Sequence, residues 1–71
     1  MSSESYLESG REAYLRQRWP EARERLMAAD AEAPLGPEDL ERLAAAATLC
    51  GEREAGLEAW TRAHNEYLRR G

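Results

Sequence analysis

Small and apolar residues recur every three or four positions in four stretches of this chain, and polar residues fill the positions between them. The clearest stretch covers residues 19–34, where Ala22, Leu26 and Ala29 stand at i, i+4 and i+7. This spacing places the three side chains on one face of an α-helix. The small residues on either side of Leu26 predict that a second helix packs closely against this one.

Prolines and glycines mark the predicted ends of the helices. Pro20 and Pro37 suit the first turn of a helix, where a missing backbone N–H removes no hydrogen bond. Pro34 ends the second helix at or before residue 33, because the residue before a proline is disfavoured in the α conformation. Gly51 suits the left-handed residue that closes a helix. We predict four helices, over about 3–17, 20–33, 37–50 and 52–70, with Gly71 available as a last cap.

The predicted connections are short, so consecutive helices are expected to be antiparallel neighbours. The sequence therefore predicts an all-α chain with a single domain over residues 1–71, made of one hairpin over about 3–34 and a second over about 37–70. A shift of 34 residues aligns positions of similar size in the two hairpins, namely Ala22 with Gly56, Leu26 with Trp60 and Ala29 with Ala63. Gly10 lies inside the first helix, where it predicts close approach of another helix.

The composition favours helices around a thin core. Apolar residues make up 42% of the chain, but thirteen of them are alanine and none is phenylalanine. The β-branched residues are limited to two threonines, which disfavours a sheet. The large residues expected in the core are Tyr6, Tyr14, Trp19, Leu26, Leu43, Leu57, Trp60 and Tyr67.

Acidic residues outnumber basic ones by 14 to 10, the basic residues are all arginine, and the formal net charge is −4. A protein that binds nucleic acid directly usually carries a basic face, so a nucleic-acid partner is not expected. Glu–Arg pairs at i, i+4 mark the sides of the predicted helices that face solvent. These pairs are Glu12–Arg16, Glu21–Arg25, Glu38–Arg42, Glu58–Arg62 and Glu66–Arg70.

The sequence gives no signal for a membrane. No apolar run approaches the roughly 20 residues that a membrane-spanning helix needs, so no membrane partner is expected. The first residues lack the basic and apolar regions of a secretory signal. The expected location is therefore the cytoplasm.

Few residues offer chemistry beyond hydroxyl and carboxylate groups. Cys50 is the single cysteine and His64 the single histidine, and they fall on different predicted helices. A metal site needs three or four ligands, and a Cys–His pair needs a third group to orient it. We therefore expect no metal, no cofactor and no enzymatic activity.

A helix–turn–helix unit with a period of 34 residues resembles the tetratricopeptide repeat. The residues at the family's motif positions are Gly10, Ala22, Leu26, Ala29 and Pro34 in the first unit, and Leu40, Leu43, Ala44, Ala47, Gly51, Gly56, Trp60 and Ala63 in the second. Three positions depart from the pattern: Ser9 stands where leucine is usual, Gln17 stands where glycine is usual, and the second unit has no terminal proline. The resemblance implies a fragment of a right-handed solenoid.

In this family the first helix of each unit lines a groove that binds extended peptides or helices of partner proteins. Carried onto this chain, the resemblance implies a groove lined by Glu4, Leu7, Arg11, Tyr14, Leu15, Glu38, Glu41, Ala45, Thr48 and Leu49. Tyr14 is the expected main contact. The groove has one arginine and neither lysine nor asparagine, so the best-known mode of the family, binding of a peptide carboxylate, is not expected.

Three runs also resemble the repeat region of bacterial LuxR-type transcriptional regulators. They are Gly-Arg-Glu-Ala at residues 10–13, Ala-Asp-Ala-Glu-Ala-Pro-Leu-Gly-Pro-Glu-Asp-Leu-Glu-Arg-Leu-Ala at 29–44, and Ala-Trp-Thr-Arg-Ala-His at 59–64. In those regulators the repeats accompany a DNA-binding or catalytic domain elsewhere in the chain. This resemblance implies a role in a bacterial regulatory or signalling system.

We expect a non-catalytic module that binds a protein or peptide. Two alternatives remain: a small helical protein that self-associates, and a helical domain that senses a small molecule in an apolar pocket. Because a solenoid buries a continuous face only with about three repeats, two units leave the last helix uncovered. Trp60, Tyr67 and Leu68 on that helix are expected to contact a second copy, a partner or further repeats.

Overall fold

The computed structural model describes residues 3–70, and this part of the chain folds into four α-helices without a strand. The helices are α1 (Ser3–Leu15), α2 (Trp19–Glu32), α3 (Pro37–Leu49) and α4 (Arg53–Arg70). The prediction of an all-α chain with four helices is confirmed, and the observed ends lie within two residues of the expected ones. The cap expected at Gly71 lies outside the described residues.

The helices form two hairpins that pack against each other. Helix α1 packs against α2 to form hairpin 1, and α3 packs against α4 to form hairpin 2. Helix α3 also contacts both helices of hairpin 1, so it joins the two hairpins. The main core therefore lies where the hairpins meet, and it is made of Leu26, Ala29, Leu35, Leu40, Leu43, Ala44, Ala59 and Ala63.

Both hairpin turns use the same backbone hydrogen bonds. In the first turn Gln17 N–H donates to the Tyr14 carbonyl (3.0 Å) and Arg18 N–H to that of Ala13 (2.9 Å). In the second turn, 34 residues later, Gly51 N–H donates to the Thr48 carbonyl (3.0 Å) and Glu52 N–H donates to the Ala47 carbonyl (2.9 Å). These are the paired bonds of a Schellman motif, which closes a helix with one left-handed residue. The local structure thus repeats with the 34-residue period found in the sequence.

Gln17 and Gly51 are the left-handed residues of the two turns, with φ of 59° and 87°. The predicted role of Gly51 is confirmed. Gln17 explains why α1 ends at Leu15 instead of continuing to residue 17, because the left-handed conformation stops the helix. A residue with a Cβ atom is strained by about 1 kcal/mol in this conformation.

Replacing Gln17 with glycine is expected to raise the free energy of unfolding by about 0.5–1 kcal/mol, because the strain at the turn disappears. Urea denaturation followed by circular dichroism measures the change. Gly51→Ala is the matched control in the other turn, and it should lower stability by about 1 kcal/mol. A Gln17→Gly variant less stable than the original chain would contradict this account of the turn.

Small residues let the paired helices approach closely within each hairpin. A Cβ atom built on Gly10 would lie 2.8 Å from Cγ of Leu26, which is too close for a real contact. A Cβ atom on Gly56 would collide with the Thr48 side chain and lie 3.1 Å from the Ala44 carbonyl oxygen. The expected close approach at Gly10 is confirmed.

The prediction of the large core residues is correct for α1, α2 and α3 and wrong for α4. Leu26 and Leu43 are buried, and the aromatic residues of hairpin 1 are half-buried. In contrast Leu57, Trp60 and Tyr67 are 65%, 49% and 43% exposed. The alanines of α4, Ala59 and Ala63, take the core positions instead. No helix among the described residues is both long and apolar enough to cross a membrane.

Candidate functional site

Four of the seven exposed large hydrophobic residues of the described chain lie on α4. Leu57, Trp60, Tyr67 and Leu68 are between 43% and 67% exposed, and the exposed His64 lies between them in sequence. Their spacing of three, four, three and one residues places them on one side of the helix. We call these five residues the open face.

The open face corresponds to the surface by which hairpin 1 binds hairpin 2. In α2, Leu26 is fully buried between Gly10 of α1 and the core residues of α3 and α4. The residue 34 positions later is Trp60, which is 49% exposed. Hairpin 2 covers the first of these two positions, and none of the described residues covers the second.

Three ion pairs of the described residues join the hairpins: Arg23 of α2 binds Glu52, and two bidentate Arg–Asp pairs lie next to the core. Arg11 of α1 donates from Nε and Nη2 to the two carboxylate oxygens of Asp39 in α3, at 2.9 and 2.6 Å. Arg62 of α4 binds Asp30 of α2 in the same bidentate way, at 2.7 and 2.8 Å. Such paired bonds fix both distance and orientation. The two Arg–Asp pairs therefore help to fix the position and orientation of hairpin 2 relative to hairpin 1.

Asp39 is the one charged residue of the described chain that is fully enclosed, with 5% of its surface exposed. It also accepts a hydrogen bond from Arg42 Nη1 at 3.0 Å. The hydrogen bond from Arg11, with further attraction from both guanidinium groups, holds the pKa of Asp39 below its ordinary value. The carboxylate therefore stays ionised and bound at neutral pH.

Asp30 has a similar environment between α2 and α4. Besides Arg62, its Oδ1 atom accepts the backbone N–H of Leu35 at 3.1 Å. The hydrogen bond from Arg62 is the largest cause that lowers the pKa of Asp30, and the Leu35 bond acts in the same direction. This carboxylate thus binds both the opposite hairpin and the loop that connects the hairpins.

Sequence reasoning missed both aspartates. Of the five expected Glu–Arg pairs, those of Arg16, Arg25 and Arg70 form, with N–O distances of 2.9, 3.7 and 3.8 Å. Arg42 and Arg62 bind Asp39 and Asp30 instead. An aspartate in the first turn of a helix is explained by the helix dipole alone, so nothing in the local sequence marks Asp39 as a residue that joins two helices.

The groove positions implied by the repeat resemblance have different environments in the structure. Leu7 is half-buried against the core. Tyr14 is half-buried and packs edge-to-face on Trp19, with ring centroids 5.4 Å apart. Arg11 remains 46% exposed, but its guanidinium group is bound to Asp39. Ala45 is half-buried.

The remaining groove positions include the most exposed leucines of the first helices. Leu15 at the end of α1 and Leu49 at the end of α3 stand 34 residues apart and are 80% and 59% exposed. Thr48 is exposed beside Gly56. Glu41 accepts a hydrogen bond from Tyr67, which raises the pKa of the tyrosine. Glu41 therefore links the predicted groove to the edge of the open face.

An open cleft of about 320 Å³ lies between α2, α3 and α4. Its lining is mostly apolar, with the Asp30–Arg62 pair at one side. Within residues 3–70 no three His, Cys, Asp or Glu side chains are grouped as a metal site requires. Cys50 has a free thiol at the end of α3.

Comparisons of this chain with protein-family models, with curated proteins and with solved structures give no match.

Proposed function

We propose that this chain is a non-catalytic protein-interaction module of the tetratricopeptide kind, which binds a helical segment of another chain through the open face. The observation that carries the proposal is the contrast between Leu26, which is fully buried, and Trp60, its counterpart in the second repeat, which is 49% exposed. Helical repeats are stable because neighbours bury each repeat's apolar face. Hairpin 2 offers such a face for one more neighbour.

The composition of the open face supports binding to protein. Four large apolar side chains lie together on one straight helix, and tryptophan and tyrosine are the residues most enriched where proteins bind tightly. Contiguous apolar surface of this kind is typical of interaction sites. The open face also lacks a grouping of nucleophile, base and orienting residue, which favours binding over chemistry.

The resemblance to LuxR-type regulators suggests the biological setting. The sequence runs at residues 10–13, 29–44 and 59–64 carry this part of the proposal. A helical-repeat module in such a system would hold a regulator or sensor in place by binding it. The cytoplasm is the compartment we propose for it.

A second candidate surface is the groove between α1 and α3. Leu15 and Leu49 occupy the same position in the two repeats and are both exposed. Repetition of an apolar contact at equal spacing suits an extended peptide that crosses both helices. Tyr14 and Thr48 precede these leucines and would lie beside such a peptide.

Site-specific photocrosslinking in the cells that produce the protein tests these proposals. The photoreactive residue benzoylphenylalanine would replace Trp60 on the open face, Leu15 in the groove, or Arg16 as a control in the polar turn after α1. We expect a discrete adduct from position 60 that is missing from position 16. The mass of the adduct identifies its partner.

An adduct from position 15 without one from position 60 would move the proposed function to the groove. Equal, diffuse crosslinking from positions 60 and 16 would contradict a binding role for the open face. Trp60 is half exposed, so the replacement should leave the helices intact, which circular dichroism verifies.

A further inference from the structure

The outer side of hairpin 1 cannot serve as the partner of the open face. Helix α3 binds hairpin 1 through the buried residues Asp39, Leu43 and Ala46. The corresponding residues of α1, 34 positions earlier, are Ser5, Ser9 and Glu12. Glu12 is exposed and forms an ion pair with Arg16 at 2.9 Å. Stacking another hairpin there would bury these charges at a cost that their attraction does not recover.

The two ends of the molecule are therefore different. The end at α1 is polar, as the terminal repeat of a solenoid must be, whereas the end at α4 is apolar. Head-to-tail stacking of copies would place the apolar end on the polar one. The open face of another copy matches the open face in chemistry.

The spacing of the residues on the open face suits a contact between two antiparallel copies of α4. Trp60 and Leu68 lie four residues to either side of His64 on the 18-residue helix α4. When two copies of α4 cross antiparallel with His64 at the centre, Trp60 of one copy meets Leu68 of the other. The same contact then occurs twice, as a two-fold interface requires.

The charges along α4 favour the same arrangement. Its first half carries Arg53, Glu54 and Glu58 and is net negative, and its second half carries Arg62, Glu66, Arg69 and Arg70 and is net positive. Antiparallel pairing places the acidic half of each helix beside the basic end of the other, and it also opposes the helix dipoles favourably. Parallel pairing would place like charges together.

We propose that the open face binds the open face of a second copy of this chain, with the two α4 helices antiparallel about a two-fold axis near His64. This inference rests on the proposed function, because it names the helical segment that the open face binds. The dimer would enclose both apolar ends and leave both polar ends in solvent. It would therefore close on itself and not grow into a filament.

Sedimentation equilibrium of the full chain from about 1 to 500 μM tests the proposal, since dimerisation follows mass action. We expect the original chain to approach the mass of a dimer over this range. Trp60→Glu should weaken dimerisation at least about tenfold, because tryptophans at the centre of an interface carry much of its affinity. Met27→Glu is the control, since Met27 is 45% exposed on α2, and it should dimerise as the original chain does.

Charge reversal tests the antiparallel order. Glu58→Arg and Arg70→Glu should each weaken the dimer, because a crossing at His64 places these two residues opposite each other, and the two substitutions combined in one chain should restore it. No restoration would overturn the antiparallel arrangement. Circular dichroism of each variant verifies that the helices are retained.

A chain that stays monomeric throughout the range, or equal loss of dimer for Trp60→Glu and Met27→Glu, would overturn the inference. The photocrosslinking experiment distinguishes failure of the dimer from failure of the proposed function. A crosslink from position 60 with the mass of two chains supports the dimer. An adduct of another mass would contradict binding of a second copy but would still support a protein-interaction module.

Discussion

Replacing Leu26 with alanine is expected to lower the free energy of unfolding by about 3 kcal/mol, as is usual for a leucine that leaves a cavity. Leu26 is fully buried and touches both hairpins. Gly10 faces it without a side chain of its own, so no side chain from that position can fill the space. A domain of this size has about 4–10 kcal/mol of stability in total, so the loss is a large part of it. Urea denaturation followed by circular dichroism measures the difference.

Trp60→Ala is the matched substitution in the second repeat. Trp60 is 49% exposed, so within one chain it keeps about half of its surface in water, whereas Leu26 keeps none. At micromolar concentration and below, where a weak dimer dissociates, the variant should lose less stability than Leu26→Ala does, because removing a half-exposed side chain leaves no enclosed cavity. Equal losses for Leu26→Ala and Trp60→Ala would contradict the contrast on which the open face rests. A loss that grows with protein concentration would be the signature of a second copy.

Replacing Asp39 with asparagine is expected to lower the free energy of unfolding by about 2 kcal/mol, the usual range for hydrogen bonds to a charged group. The amide cannot accept from Arg11 through both of its polar atoms, and it no longer balances the charges of Arg11 and Arg42. Glu38→Gln is the control, because Glu38 is exposed in the same first turn and shares the helix-dipole effect. The control should change stability by less than about 0.5 kcal/mol.

The same aspartate makes stability depend on pH in a defined direction. The folded pKa of Asp39 is lowered by Arg11 and Arg42, so the folded state holds its proton less tightly than the unfolded state does. The contribution of Asp39 to the free energy of unfolding is complete above the unfolded pKa of about 3.9. It disappears as the pH falls through the lower pKa of the folded state. Asp30 contributes with the same sign, through Arg62 and Leu35.

Melting temperatures between about pH 5 and pH 2 test this linkage. The original chain should lose stability steeply as the pH falls, and Asp39→Asn should lose less because one of the two responsible groups is already gone. Parallel curves for the two proteins would show that Asp39 does not carry the acid sensitivity. Asp30→Asn should flatten the curve in the same way.

Local signals in the sequence predict the helices well. Pro20, Pro37 and Gly51 each act on their own backbone, so their effect does not depend on the rest of the fold. The burial of Ala22, Leu26 and Ala29 is also predictable, because their spacing defines a helix face and hairpin 2 covers it. These features follow from neighbours that are close in the sequence.

The orientation of α4 and the partners of the aspartates depend on distant residues. Trp60 matches the size expected of a core residue, yet burial requires a neighbour on that side of α4. Arg11 and Asp39 are 28 residues apart, and their pairing appears only when α3 docks on α1. Arg11 was expected in the groove because a charged residue on a first helix carries no information about its partner.

The two Arg–Asp pairs between the hairpins limit how this protein could have grown by gene duplication. The positions that correspond to Arg11 and Asp30 in the second repeat are Ala45 and His64. A third hairpin copied from the second would bring a buried aspartate against Ala45, without the cation that neutralises it. Lengthening the array would therefore require new substitutions on both sides of the added interface, so the present pairing acts as an evolutionary barrier to simple copying of the second repeat.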